Sequence, residues 1–429
     1  MPARFKTGKL YTPLATTSGG TVLGASGDFN VTRATTATRV NASGLIELVA
    51  SGIPRLDYFA SGGTIGCPAL LVEPAATNFA RGVQLLNTPT PATASGGITI
   101  TTGSTDFLAP DGSSGTITKY VGGTASGNIF IEYASSTSVS ASGVHTFSAF
   151  VKTGATNALT FCALQFALYS AASGTAISYF NLASGTALTA GATIQNYGNG
   201  WYRIISAPYT IAAGDLAGSI RLIFAEADND INWPASGALN LTLYAWGIQL
   251  EAGSVATSYI PTTTGSVTRN ADVISVSGAV SGSIGQTEGT IYAEVDIANR
   301  FANKFVFTIS SDQSTVSGRI GLNSNTNNRW RFQINDVSGT ATTTSSSNDA
   351  QTLGISKVAI AYGNNQDAVL YVNGQSVITA TGTSGYVFDF KNLTIGATNT
   401  NSSVWNDRIR AVALYTTRLT NAQLAALTT

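Results

Sequence analysis

The chain has 429 residues, yet only one stretch carries helical spacing. Almost everything else reads as apolar or alternating runs of about four to eight residues, cut by clusters of Gly, Ser, Asn and Asp. A period of two places successive side chains on opposite faces, so such runs bury one face only as strands. The clearest lie at 98–102, 146–151, 219–224, 239–246, 290–295, 330–334, 357–362 and 368–372. Asn373-Gly374 sits between two of them and predicts a tight hairpin, because both central residues of a type I′ turn need positive φ. The exception is 420–427, where Thr420 offers an N-cap ahead of two leucines three residues apart. The fold class expected is therefore all-β, closed by one short helix.

Length and strand spacing divide the chain into three. Residues 1–80 are rich in turns and have few runs long enough for a sheet of their own, with Pro54, Pro68 and Pro74 interrupting any ladder. We expect an attachment and oligomerisation segment there, one that leans on partners for burial. Residues 81–262 carry strand signals at spacings near ten residues, the pattern of a jelly roll, and 261–265 reads as a linker. Residues 263–429 form a second sandwich that includes the helix.

Charge excludes several partners. Lys plus Arg equals Asp plus Glu at 22 each, charged residues make up 10% of the chain, and no basic run could neutralise a phosphate backbone, so nucleic acid is not an expected partner. No segment approaches the roughly 20 apolar residues that span a bilayer, and no signal peptide follows Met1. Cys67 and Cys162 lie far apart outside any metal-ligand spacing, and both are expected free and buried.

Three sets of segments resemble bacteriophage tail, fibre and other virion proteins. The first is 29–47 with Ile53-Pro-Arg-Leu-Asp-Tyr and Pro68-Ala-Leu-Leu-Val-Glu-Pro. The second is Asn199-Gly-Trp-Tyr-Arg-Ile with Trp246-Gly-Ile-Gln-Leu-Glu-Ala-Gly and Thr257-Ser-Tyr-Ile-Pro-Thr, which resembles carbohydrate-binding-module-like jelly rolls. The third is Ala368-Val-Leu-Tyr-Val-Asn-Gly, Leu393-Thr-Ile-Gly and Arg408-Ile-Arg-Ala-Val-Ala-Leu-Tyr with the last helix, which is similar to the concanavalin A-like or laminin-G-like sandwich. The resemblance implies a virion structural protein, a tail fibre or surface appendage exposed on the particle and made in the host cytoplasm. It implies binding to host-surface glycans, contact with other virion proteins through residues 1–80, and assembly as a homotrimer. A capsid-decorating or head-fibre protein with the same modules, and a polysaccharide-degrading enzyme on the concanavalin-like sandwich, are the alternatives.

Aromatic faces stack on sugar rings, which singles out the five tryptophans. Trp201, Trp246 and Trp330 fall in strand patterns and are expected to pack inside. Trp233 falls on a loop beside Asp228 and Asp230, and Trp405 on a loop beside Asp407. These five residues, Trp233, Asp228, Asp230, Trp405 and Asp407, are the glycan-contact candidates. Asp228-Asn229-Asp230 offers oxygens to Ca²⁺ but lacks the later Gly and Glu of an EF-hand, so a solvated acidic turn is expected and no metal or other cofactor is assigned. Catalysis finds little to build on, and no catalytic residue is assigned. His145 is the only histidine, and Glu132, Glu226, Glu251, Glu288 and Glu294 stand singly, where glycoside hydrolysis needs two carboxylates about 5 to 9 Å apart.

Overall fold

The computed structural model describes residues 8–11 and 30–429, apart from 61–64, 81–92, 140–141, 168, 170, 175, 215–216, 235–236, 239, 263–264, 278–283, 316–317, 336–340, 364–366 and 381–388. Residues 1–7 and 12–29 of the expected attachment segment, and 263–264 of the expected linker, thus lie outside the described residues. The described residues build two β-sandwiches and one helix.

In the first sandwich, Gly143–Thr153 lies antiparallel to Thr242–Ala252 at the centre of an eight-stranded sheet. Alternation decides which side chains meet. Phe147, Ala149 and Val151 point inward with Leu243, Ala245 and Leu250, while Phe150, Tyr244 and Trp246 take the opposite face. The facing seven-stranded sheet centres on Phe161–Ala167, Ala217–Ala225 and Gly127–Ser138. It contributes Cys162, Leu164, Ile220, Leu222, Phe224, Ile129 and Ile131 to the shared core. Each such fully buried aliphatic or aromatic side chain is worth about 1.5–3 kcal/mol.

The second sandwich packs a sheet built around Gly289–Ile297, Gly354–Tyr362 and Asp407–Tyr415 on one built around Phe305–Ser310, Arg319–Ser324 and Asn392–Ile395. The hairpin expected at Asn373-Gly374 is present, with φ of 48° and 82° and Val372 paired to Gln375. The helix Asn421–Thr428 follows Thr420, whose hydroxyl accepts from the Gln423 amide while the Gln423 side chain returns to the Thr420 amide. Leu424 buries it against Tyr292, Ala359, Ala361 and Tyr371 on the outer face of the sheet. Cys162 is buried, but Cys67 is exposed, contrary to expectation, because only the second half of Ile65–Val72 lies between two strands, while its first half has Leu56–Phe59 alone beside it.

The sheets do not divide at residue 80. Leu56–Phe59 and Ile65–Val72 extend the second sandwich's first sheet beside Asp407–Tyr415, and Asn30–Thr32 extends its other sheet beside Val273–Ser277. Between these strands the hairpin of Ala37–Val40 and Ile46–Val49 crosses to the jelly roll, where Val40 and Ile46 pack on Phe150, Trp201, Trp246 and Tyr259. Among the described residues of the early segment, Leu70 and Val72 join the second sandwich's core, and Val40 and Ile46 join the jelly-roll cluster. The burial this segment needs comes from the two sandwiches of its own chain.

A charged cluster closes this seam. Arg55 donates to Glu73 at 2.7 Å and also pairs with Asp272, and Arg33 donates to Asp272 at 2.8 Å. Ser258 adds its amide and hydroxyl to Glu73 at 2.7 and 2.6 Å. Arg269 lies 3.4 Å from Glu73. All five ionisable side chains are enclosed, Arg55 at 0% exposure. Burial opposes the charge on Glu73, yet Arg269 and Arg55 hold its carboxyl well below the ordinary range.

Candidate ligand-binding face

The outer face of the jelly roll's seven-stranded sheet gathers the chemistry that best fits a polar ligand. Its rows follow from strand register. Tyr179 stands opposite Ala163, Ala163 opposite Ile223, and Ile223 opposite Phe130. In the next row Ile177 faces Gln165, Gln165 faces Arg221, and Arg221 faces Glu132. Arg221 donates through Nε to Glu132 at 2.6 Å, and its guanidinium lies 4.0 Å from the Phe130 ring. The floor is small and sealed at Ala163 and Ile223, whereas Phe130, Phe161, Ile177, Gln165 and Arg221 stay half-exposed. An aromatic ring, an anchored guanidinium and an amide thus share one open strip.

Three of the five candidates border this strip. Asp228 and Asn229 form the tip of a tight turn closed by Ala227 and Asp230, with Asn229 at φ 58°. Asp230 accepts from the Asn232 amide at 2.8 Å, and Asp228 is exposed. Tyr179, at the edge of the strip, has its hydroxyl pushed up by burial and by the nearby Asp230 and Asp228 charges. Trp233 is half-buried. Its indole donates to the Phe224 carbonyl at 2.7 Å and its ring packs toward the jelly-roll core, so part of its surface is committed to the fold.

The other two candidates lie elsewhere. Trp405 is enclosed in the second sandwich's core, stacked on Trp330 at 6.2 Å and 16°, so both its faces meet protein rather than solvent. Asp407 is buried at the seam, where its carboxylate accepts from the Ala298 amide at 2.6 Å and the Arg408 amide at 3.0 Å. Burial pushes that carboxyl up to about 7. The strip itself had one clue in the sequence, an arginine inside the apolar run Ile220-Arg221-Leu222, but not the strand that pairs it with Glu132.

The five glutamates weighed for catalysis are dispersed. Glu132 is held by Arg221 and Glu294 approaches Arg410 at 3.5 Å. Glu251 is buried under the amide and hydroxyl of Thr257, while Glu226 and Glu288 are exposed. His145 is buried, its Nδ1 2.9 Å from the Gly143 carbonyl.

No curated protein matches the chain in sequence. Among solved structures, the chain is similar to the CBM40 of an IT-sialidase from Ruminococcus gnavus bound to alpha2,6 sialyllactose. That match has 16% identity and a TM-score of 0.30, over 34% of this chain and 85% of the other. It is also similar to domain 4 of a GH43 extracellular arabinanase from Geobacillus stearothermophilus in complex with arabinotriose, at 13% identity and TM-score 0.30 over 41% and 82%. A heptameric SAP-like pentraxin from Limulus polyphemus matches at 12% identity and TM-score 0.27 over 33% and 70%. Residues 240–425 match the family model of the concanavalin A-like lectin/glucanases superfamily, a laminin-G type, so the match opens two residues before the jelly roll's long strand Thr242–Ala252 and runs through the second sandwich into its helix.

Proposed function

We propose that this protein is a non-enzymatic glycan-binding component of a virion surface appendage, of the tail-fibre kind, which engages host-surface glycans through the outer face of its jelly-roll sheet. The observation that carries the reading is the strip of Phe130, Phe161, Gln165 and Arg221 with Asp228 and Asp230 at its border. A sugar ring offers apolar C–H faces and a rim of hydroxyls. Half-exposed rings serve the first, and a guanidinium locked by Glu132 serves the second without losing much freedom on binding. The concanavalin-type match supports the glycan reading, and the resemblance of 29–47 and 68–74 to virion proteins supports the particle setting. Assembly as a homotrimer and docking on other virion proteins belong to the same reading. Because the described strands between 30 and 78 are committed to sandwiches of its own chain, other surfaces would carry that assembly.

A glycan array probed with the full chain tests this, followed by Phe130→Ala and Arg221→Gln on every glycan retained. The expected loss is about tenfold or more in affinity for each variant, equal to about 1.4 kcal/mol. Retention of no glycan, or unchanged binding by both variants, overturns the reading. One observation favours a degrading enzyme instead. Asp57 and Asp407 both reach Arg408 at the seam, with Asp407 raised to about 7, a pairing of environments that acid–base chemistry uses. New reducing ends from a bound polysaccharide would establish that alternative.

A further inference from the structure

A solvent-connected cavity of about 60 Å³ lies at the seam. Three parts of the chain wall it: Tyr197 and Arg203 from the jelly roll, Asp57 from the early segment, and Asn406, Asp407 and Arg408 from the second sandwich. At roughly 10–15 Å³ per enclosed water, it has room for about four to six.

Its charges argue against an ion as occupant. Three arginines line it, Arg39, Arg203 and Arg408, against three carboxylates, Asp57, Glu73 and Asp407, so the ionised lining sums to zero. Most of these charges are already spoken for. Asp57 pairs with Arg408 at 2.9 Å, Glu73 with Arg55 at 2.7 Å, and Arg39 with Glu47 at 2.6 Å. Among the described residues no group of three or more His, Cys, Asp or Glu is placed to hold a metal.

What remains unanswered is neutral hydrogen bonding. Arg203 is 3% exposed, yet its Nε has no hydrogen-bond partner, and neither has the buried Oδ1 of Asn406. The two sit on opposite sandwiches, one a donor and one an acceptor. A buried polar group left without a partner costs about 1–3 kcal/mol. A hydroxyl, which donates and accepts at once, answers both. The Tyr197 ring, held 4.9 Å from Phe150 and 4.7 Å from Phe59, adds a fixed apolar wall.

We infer that this cavity is a second sugar site, separate from the jelly-roll strip, which takes one edge of a neutral monosaccharide or polyol and so bridges the two sandwiches. The ligand's hydroxyls satisfy Arg203 Nε and Asn406 Oδ1, and its ring edge rests on Tyr197. Domain interfaces are where concave sites of this kind concentrate.

Saturation-transfer NMR on the full chain tests it with four probes, D-glucose, D-galactose, D-mannose and N-acetyl-D-glucosamine, each titrated at millimolar concentration. Ala298→Trp is the blocking variant, since Ala298 lines the cavity while being exposed, Leu353→Trp at an exposed position outside both sites is the control, and Phe130→Ala reports on the strip. The expected result is saturable transfer from at least one probe, weakened about tenfold by Ala298→Trp and unchanged by Leu353→Trp. Asn406→Gly should weaken the same probe. No saturable signal from any of the four, or Ala298→Trp binding as the unaltered protein does, overturns the inference and leaves the cavity to water. Loss in Phe130→Ala alone also overturns it, while leaving the proposed role of the strip standing.

Discussion

The charged cluster at the seam is buried as the cores of the two sandwiches are, but it is held by different chemistry. The second sandwich's core holds one large aliphatic and aromatic cluster, from Leu70 and Val72 through Phe307, Trp330 and Leu393 to Trp405 and Leu414. The seam buries Arg33, Arg55, Arg269, Glu73 and Asp272. Apolar packing is non-directional and tolerates swaps of similar volume. Buried charge tolerates almost none, because each group needs its partner in place. The cores therefore let each sandwich form, and the seam fixes how one sits on the other.

The largest expected effect separates these two kinds of interior directly. Arg55→Ala leaves Glu73 and Asp272 enclosed without their shared cation and should lower stability by about 3–5 kcal/mol. The paired core experiment is Leu393→Met, a volume-conserving swap at a fully buried position, which should cost less than about 1.5 kcal/mol in chemical denaturation. If Arg55→Lys proves as mild as Leu393→Met, the distinction between seam and core fails, since a lysine cannot reproduce the fork that reaches both carboxylates.

A smaller effect is read from pH. Burial pushes Asp407 up to about 7, above its ordinary 3.8, so between those values the folded chain holds a proton that the unfolded chain has released. Its contribution is complete below the unfolded value and is lost as pH rises through about 7. Glu73 runs the other way: its contribution is present above its ordinary value of 4.5 and is lost as pH falls toward its lowered one. Asp407→Asn should remove a fall in stability on the order of 2–4 kcal/mol between acidic and mildly alkaline pH, followed as denaturation midpoints across that range. An unchanged pH profile in the variant would mean that Asp407 is better solvated than its enclosure indicates.

How much could be read from the sequence follows from the same contrast. Alternation marked the strands at 146–151, 219–224 and 368–372 to within a few residues, and local chemistry marked Asn373-Gly374 and the Thr420 cap. These are signals carried by neighbours in the chain. Much of the seam joins residues far apart in the chain, such as Glu73 with Asp272, 199 positions apart, and Arg33 with Asp272, 239 apart, and no local pattern names such partners. Trp405 misled for a related reason: its neighbours Asn406 and Asp407 read as a loop, but the turn folds the indole inward onto Trp330. At the strip, the period of two told which residues of 219–224 share a face, while register alone decided that Arg221 meets Glu132.

Differential scanning calorimetry of the full chain tests the central claim, that the early segment and its charged seam make the two sandwiches one cooperative body. One transition is predicted, with calorimetric and van't Hoff enthalpies equal, splitting or broadening in Arg55→Ala. Two resolved transitions in the unaltered chain, with midpoints that ignore Arg55→Ala, would contradict it.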